Sequence, residues 1–96
     1  MRNDVGSNKI GRIVMQSKCD VNRIGVITFQ RKKEDNWVYY TIFWITKTNG
    51  QAEWMKQIEW RCDAVKIIDE DIYLDDLQSA IRFRNSRKFK EEVQGL

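Results

Sequence analysis

The sequence predicts a mainly β protein: five short strands forming a small barrel, followed by one C-terminal α-helix. Three observations carry this expectation. The run WVYYTIFW, Trp37 to Trp44, holds five aromatics in eight residues and leads through β-branched residues to Asn49-Gly50, a strong hairpin signal. Upstream, IGRIVMQ and IGVITFQ repeat an Ile-Gly start before large apolar residues. After residue 70 the apolar spacing changes from alternation to the helical period.

The first two strands are expected at Ile10–Gln16 and Ile24–Gln30, with the polar SKCDVNR between them as a loop. In each, the glycine permits a sharp bend or a close approach of backbone. RKKEDN, Arg31 to Asn36, is a charged loop. The aromatic strand places Trp37, Tyr39, Thr41, Phe43 and Ile45 on one face and Val38, Tyr40, Ile42, Trp44 and Thr46 on the other. Both faces are apolar, so both are covered or one is a binding surface. With a two-residue Asn-Gly loop, Ile45 lies opposite Trp54 and Trp44 opposite Met55, which puts Trp54 on the Phe43 face. Gln51–Gln57 is the return strand, Glu59–Asp63 a short turn and Ala64–Asp69 the last strand. Leu74, Leu77, Ala80 and Ile81 then recur at helical spacing. A single helix over about 72–91 follows, with Asp69 or Asp71 as cap and its apolar side, Phe89 included, on the barrel.

The length of 96 residues fits one domain, residues 1–70 forming the barrel and 71–96 the helix packed on it. A domain of this size buries only about two-thirds of its unfolded surface, so large rings help to fill a small core. No run approaches the roughly 20 apolar residues of a membrane span. The polar start, MRNDVGSNK, lacks the apolar block of a signal peptide, and a cytoplasmic setting is the expectation. Cys19 and Cys62 form no CxxC motif and are read as two free thiols serving as small apolar filler, with a disulfide as the alternative.

The pieces I-G-x-I (Ile10–Ile13), I-G-V-I (Ile24–Ile27), Y-x-I-x-W (Tyr40–Trp44), N-G-x-x-E-W (Asn49–Trp54) and V-x-I-I (Val65–Ile68) together resemble a small SH3-like barrel of the Tudor, chromo and KOW group. The chain is similar to the short barrel proteins encoded by tailed bacteriophages. The resemblance covers roughly residues 5 to 69. EWRCD before the last strand and the C-terminal helix depart from the pattern. A phage accessory protein in an infected bacterial cell is what this likeness implies.

The absences narrow the function. There is no histidine, the commonest general base near neutral pH. No zinc set, phosphate-binding glycine loop or nucleophile elbow is visible. A non-catalytic binding module without cofactor or metal is therefore expected. The formal charge of +3 is unevenly spread. DEDIYLDD, residues 69–76, carries five acids, and RFRNSRKFK, residues 82–90, carries five bases.

Three sites follow. Barrels of the Tudor and chromo type cage methylated cations with aromatic rings, a role for which Trp37, Tyr39, Trp54 and Trp60 are the candidates; against it, the same rings fill a core and anchor the helix. Bases mixed with aromatics suit nucleic acid, as in KOW barrels: Arg31, Lys32, Lys33, Arg82, Arg84, Arg87, Lys88 and Lys90 would neutralise phosphates, with Arg84, Arg87 and Lys88 on one helical face and Phe83 nearby. Against it stands a solvated face balanced by the upstream acids. Finally, the acidic start and basic middle of the helix are self-complementary in an antiparallel pair, which suits a two-fold dimer. Nucleic acid is the expected ligand. The alternative is a protein: a host factor, a virion component or a second copy.

Overall fold

Alternating β-branched and aromatic residues fit a pleated surface with both faces buried, and the strands fall where they cluster. The structure, a computed structural model, describes residues 8–16, 23–48, 51–68 and 74–94. Five strands, β1 (Ile13–Gln16), β2 (Ile24–Lys32), β3 (Val38–Thr48), β4 (Gln51–Arg61) and β5 (Val65–Ile67), form one antiparallel sheet in the order β4-β3-β2-β1-β5. A 3₁₀ turn, Cys62–Ala64, links β4 to β5, and two helices follow, α1 (Leu74–Arg84) and α2 (Arg87–Gln94).

The expected β3–β4 register is found. Trp44 pairs with Met55 and Ile45 with Trp54; Asn49 and Gly50 themselves lie outside the described residues. The two Ile-Gly segments use glycine for different reasons. Gly11 sits at φ +90° before β1, where the chain bends. Gly25 lies in β2 where a Cβ would stand 2.6 Å from Ile42 Cγ2 and 2.9 Å from the Phe43 carbonyl oxygen.

The two faces of β3 separate the core into two clusters. On the inner face Val38, Tyr40, Ile42 and Trp44 join Val14, Ile27 and Val65, with Ile10, Trp60 and Cys62 packed at the margin. Trp44, Ile42, Ile27 and Val14 are completely buried. The sheet curls enough for the 3₁₀ turn to touch β3. On the outer face Phe43 and Ile45 join Ile13, Ile24, Val26 and Ile68 beneath the helices. Phe83 of α1 is the centre of that layer: its ring stacks on Trp54 at 4.4 Å and on Phe43 at 5.1 Å, with Phe89 edge-on at 5.9 Å. Burying one such ring contributes about 1.5–3 kcal/mol.

Several expectations need correction. The sheet is open. β5 is three residues long and pairs with β1, and among the described residues no ladder joins it to β4, so a closed barrel is not shown. The predicted turn at Glu59–Asp63 is shorter, because β4 continues to Arg61 beyond a bulge. Arg31 and Lys32 belong to β2 rather than to a loop. The single helix is two. Ser86 Oγ donates to the Phe83 carbonyl (2.6 Å) and accepts from the Phe89 N–H (3.2 Å), closing one helix and capping the next. Cys62 is a free, half-buried thiol, while Cys19 and the proposed helix caps Asp69 and Asp71 lie outside the described residues.

Candidate functional site

The helices cover only part of the outer face. Along β3 the odd-numbered residues from Tyr39 to Ile45 point outwards, and the helical layer ends at Phe43. Below it, Phe29 pairs with Thr41, which faces the β4 bulge at Ile58 and Glu59, and the next row reads Arg31–Tyr39–Arg61. The edges here are bare, with Phe29 51% exposed and Ile58 64%, while Thr41 between them is buried.

Two bulges explain why these side chains emerge here. One extra residue, Thr28, interrupts the β2–β3 ladder, and another interrupts β4 opposite Thr41. Both flank the same level of β3. Bulges strengthen local twist and re-aim side chains. The β4 bulge places Glu59 at φ +64°, an unusual conformation for a residue with a Cβ. The result is a cleft of about 190 Å³ lined by Phe29, Arg31, Lys33, Tyr39, Ile58 and Glu59, among others.

Charge is arranged tightly around it. Lys33 Nζ donates to Glu59 Oε2 at 2.8 Å and lies 4.6 Å from the centre of the Tyr39 ring. The hydrogen bond to Glu59 raises the Lys33 pKa, and its counterpart lowers that of Glu59. Tyr39 Oη donates to Asp35 Oδ2 at 2.6 Å, and the Trp37 N–H donates to Asp35 Oδ1 at 2.9 Å. These bonds hold the Asp35 carboxyl below its ordinary range and push the Tyr39 phenol up. Arg61 makes two 2.7 Å bonds to Asp63 and lies 4.3 Å above the Trp37 ring. The bonds to Asp63 raise the Arg61 pKa. Arg31 is exposed on the cleft wall without an ion pair among the described residues.

The predicted site residues are thus partly assembled and partly dispersed. Arg31, Lys33, Tyr39 and Trp37 come together. Lys32 pairs with Val38 and so alternates to the other face. Trp54 packs beneath α1, and Trp60 lies on the inner face against Trp44 at 5.0 Å, its Nε1–H bound to Gln57. The four cage candidates therefore do not converge. The single basic helical face of Arg84, Arg87 and Lys88 is divided by the break at Asn85–Ser86. Arg84 Nη1 donates to the Gly11 carbonyl at 3.3 Å, Arg87 pairs with Glu91, and Lys88 pairs with Glu92. Arg82 and Lys90 stay exposed. The acidic half of the expected dimer contact lies mostly outside the described residues or among side chains not described.

Phe29, Ile58 and Arg61 were not among the sequence candidates. Alternation from Trp54 through Lys56 to Ile58 is the available signal for Ile58; no local pattern marks the bulges that bring Phe29 and Arg61 to this face. Among the described residues no acidic, cysteine or histidine cluster suits a metal, and no helix is long and apolar enough to cross a membrane.

Comparison with known proteins finds nothing similar at a significant level: no family model, curated protein or solved structure matches this chain. The likeness to SH3-like barrels and to phage proteins rests on the residues quoted above.

Proposed function

We propose that the chain is a non-catalytic module that binds nucleic acid through the bare half of its outer sheet face. The observation that carries this reading is the cleft in which Phe29, Tyr39 and Ile58 share one lining with Arg31 and Lys33. Exposed rings offer stacking surfaces to unpaired bases, and the cations meet phosphates. The Lys33 hydrogen bond lowers the pKa of Glu59, the carboxylate of the cleft, and so makes it a weaker base, and the chain has no histidine to serve in its place.

The test is binding of a labelled random oligonucleotide pool across a salt series, for the wild type and for Arg31→Glu. Log affinity should fall linearly with log salt by about 0.7 per phosphate contact on a single strand, and Arg31→Glu should remove about one such contact. Absence of binding at low salt would overturn the reading. A protein ligand is the second reading, favoured by Ile58, whose aliphatic side chain is 64% exposed and cannot stack on a base. It predicts a partner whose affinity depends little on salt and is lost on Ile58→Asp.

A further inference from the structure

A second recess lies on the same face of β4. Trp54, Ser79, Arg82, Phe83, Ser86 and Lys88 surround a space of about 390 Å³ where the elbow between α1 and α2 meets the strand. Its floor is aromatic and its rim carries two bases, as in the first cleft. Trp54 and Ile58 are four residues apart on the same side of β4, which separates the two recesses by about 13 Å.

The ground between them is positive as well. Glu92 is the one carboxylate bound by two lysines there: Lys56 at 3.0 Å and Lys88 at 3.4 Å. Two cations against one anion leave one positive charge in excess. Arg82 makes no ion pair among the described residues, and neither does Arg31. Cations therefore stand at three places on this face: Arg82 at the helical recess, Lys56 and Lys88 sharing the single carboxylate of Glu92, and Arg31 at the lower cleft, where Glu59 is the nearby anion.

We infer that the two recesses form one path for a single-stranded nucleic acid, with an unpaired base in each recess and phosphates on the cations at three places along it: Arg82, the Lys56–Lys88 pair and Arg31. The inference rests on the nucleic-acid reading above and extends it in ligand class, length and second site. A duplex suits the path poorly, because its bases are stacked about 3.4 Å apart and offer no free faces to rings so far apart.

The test uses the full chain with oligothymidylates of about 2 to about 12 nucleotides, bracketing the lower part of the 4–16 nucleotides bound by small β-barrel units. Affinity is read by fluorescence anisotropy across a salt series. The wild type should gain affinity once a strand spans both recesses, with a salt slope near 2 from three contacts of about 0.7 each. Arg82→Glu should lower the long-strand slope by about 0.7, which is about fivefold in affinity at 0.1 M salt, and leave short strands nearly unchanged. Arg31→Glu should weaken every length. If Arg82→Glu binds long strands like the wild type while Arg31→Glu does not, the path is wrong and the single cleft stands. If a duplex of the same length binds as tightly as the single strand, the path is also wrong. If no strand binds at low salt, both readings fall.

Discussion

Replacing Gly25 with alanine tests how tightly the sheet is built. The new Cβ would stand 2.6 Å from Ile42 Cγ2, 2.9 Å from the Phe43 carbonyl oxygen and 2.9 Å from Trp44 Cε3. Ile42 and Trp44 are completely buried, and the third contact is backbone, so no neighbour is a flexible side-chain end. Overpacking of this kind costs about 1–3 kcal/mol. A chain of this length has roughly 5–14 kcal/mol in total. At about 4–8 °C per kcal/mol, a 2 kcal/mol loss lowers Tm by roughly 8–16 °C. Gly11 is the control from the matching motif. A Cβ there meets only Arg84 Cδ and Phe89 Cζ, both at 3.8 Å, so alanine adds the strain of φ +90° and no clash. That strain costs about 1–2 kcal/mol and is smaller for asparagine, which visits positive φ more readily. Gly11→Asn should therefore be milder than Gly11→Ala, while Gly25→Asn should be no better than Gly25→Ala. Thermal and urea unfolding followed by tryptophan fluorescence measures all four. A Gly25→Ala protein within about 0.5 kcal/mol of wild type, the range of neutral surface changes, would refute the close-approach argument.

The other expectations follow from the same contacts. Phe83→Ala removes the ring shared by Phe43, Trp54 and Phe89 and should cost about 3–5 kcal/mol in urea unfolding, with early proteolysis of the helical segment. Ser86→Ala removes the cap at the helix elbow and should cost about 1 kcal/mol in the same assay. Glu59→Gln frees Lys33 and should steepen the salt dependence of oligonucleotide binding by about 0.7; an unchanged slope would mean that Lys33 takes no part. Stability should be flat between about pH 5 and pH 8, because the chain has no histidine. Asp35, Glu59 and Glu92 have lowered pKa values, so their contribution is present above the ordinary carboxylate range and is lost as pH falls through their folded values. Lys33 and Tyr39 have raised values, so theirs is present below about pH 10 and is lost as pH rises further. Urea midpoints at stepped pH check both limbs.

Much of the sheet could be read from local pattern. The face assignment of β3 and the pairing of Trp54 with Ile45 follow from a side-chain period of two and one Asn-Gly turn, whereas which glycine serves a bend and which a close approach shows only in the structure. What escaped reading depends on tertiary detail. A bulge adds one residue without a local signature, so β4 runs on through Glu59 and Arg61, rather than Trp60, reaches the outer face. The helix break depends on a single hydroxyl bonding in both directions, and serine is common enough in helices to hide it. The same break redirects the basic stretch. Arg84, Arg87 and Lys88 share a face only on a continuous helix, and here they serve Gly11, Glu91 and Glu92 instead. Phe83 was read as a neighbour of surface bases because its partner rings on β3 and β4 are far away in sequence.

The aromatic density of β3 has a cause at each level of the sheet. Its even residues close the inner cluster, Phe43 seats the helices, and Tyr39 is left for the open cleft. The helices are too short to cover all of the outer face: at about 1.5 Å per residue, α2 reaches only some 12 Å. Its Glu92 touches Lys56, one row above Ile58. The row left open is also where the backbone is least comfortable. Glu59 in the cleft lining has φ +64° and Asn36 in the β2–β3 turn φ +69°, and both conformations suit glycine better. Glycine at position 59 would relieve the backbone but would remove the carboxylate that holds Lys33 over Tyr39. The bulge sets this conformation, and what a glutamate adds there over glycine is the ion pair with Lys33. In this chain that side chain sets the charge of the cleft, and phosphate would have to displace it from Lys33. The Glu59→Gln experiment therefore separates a cleft arranged around its own ion pair from one arranged to exchange that pair for a ligand.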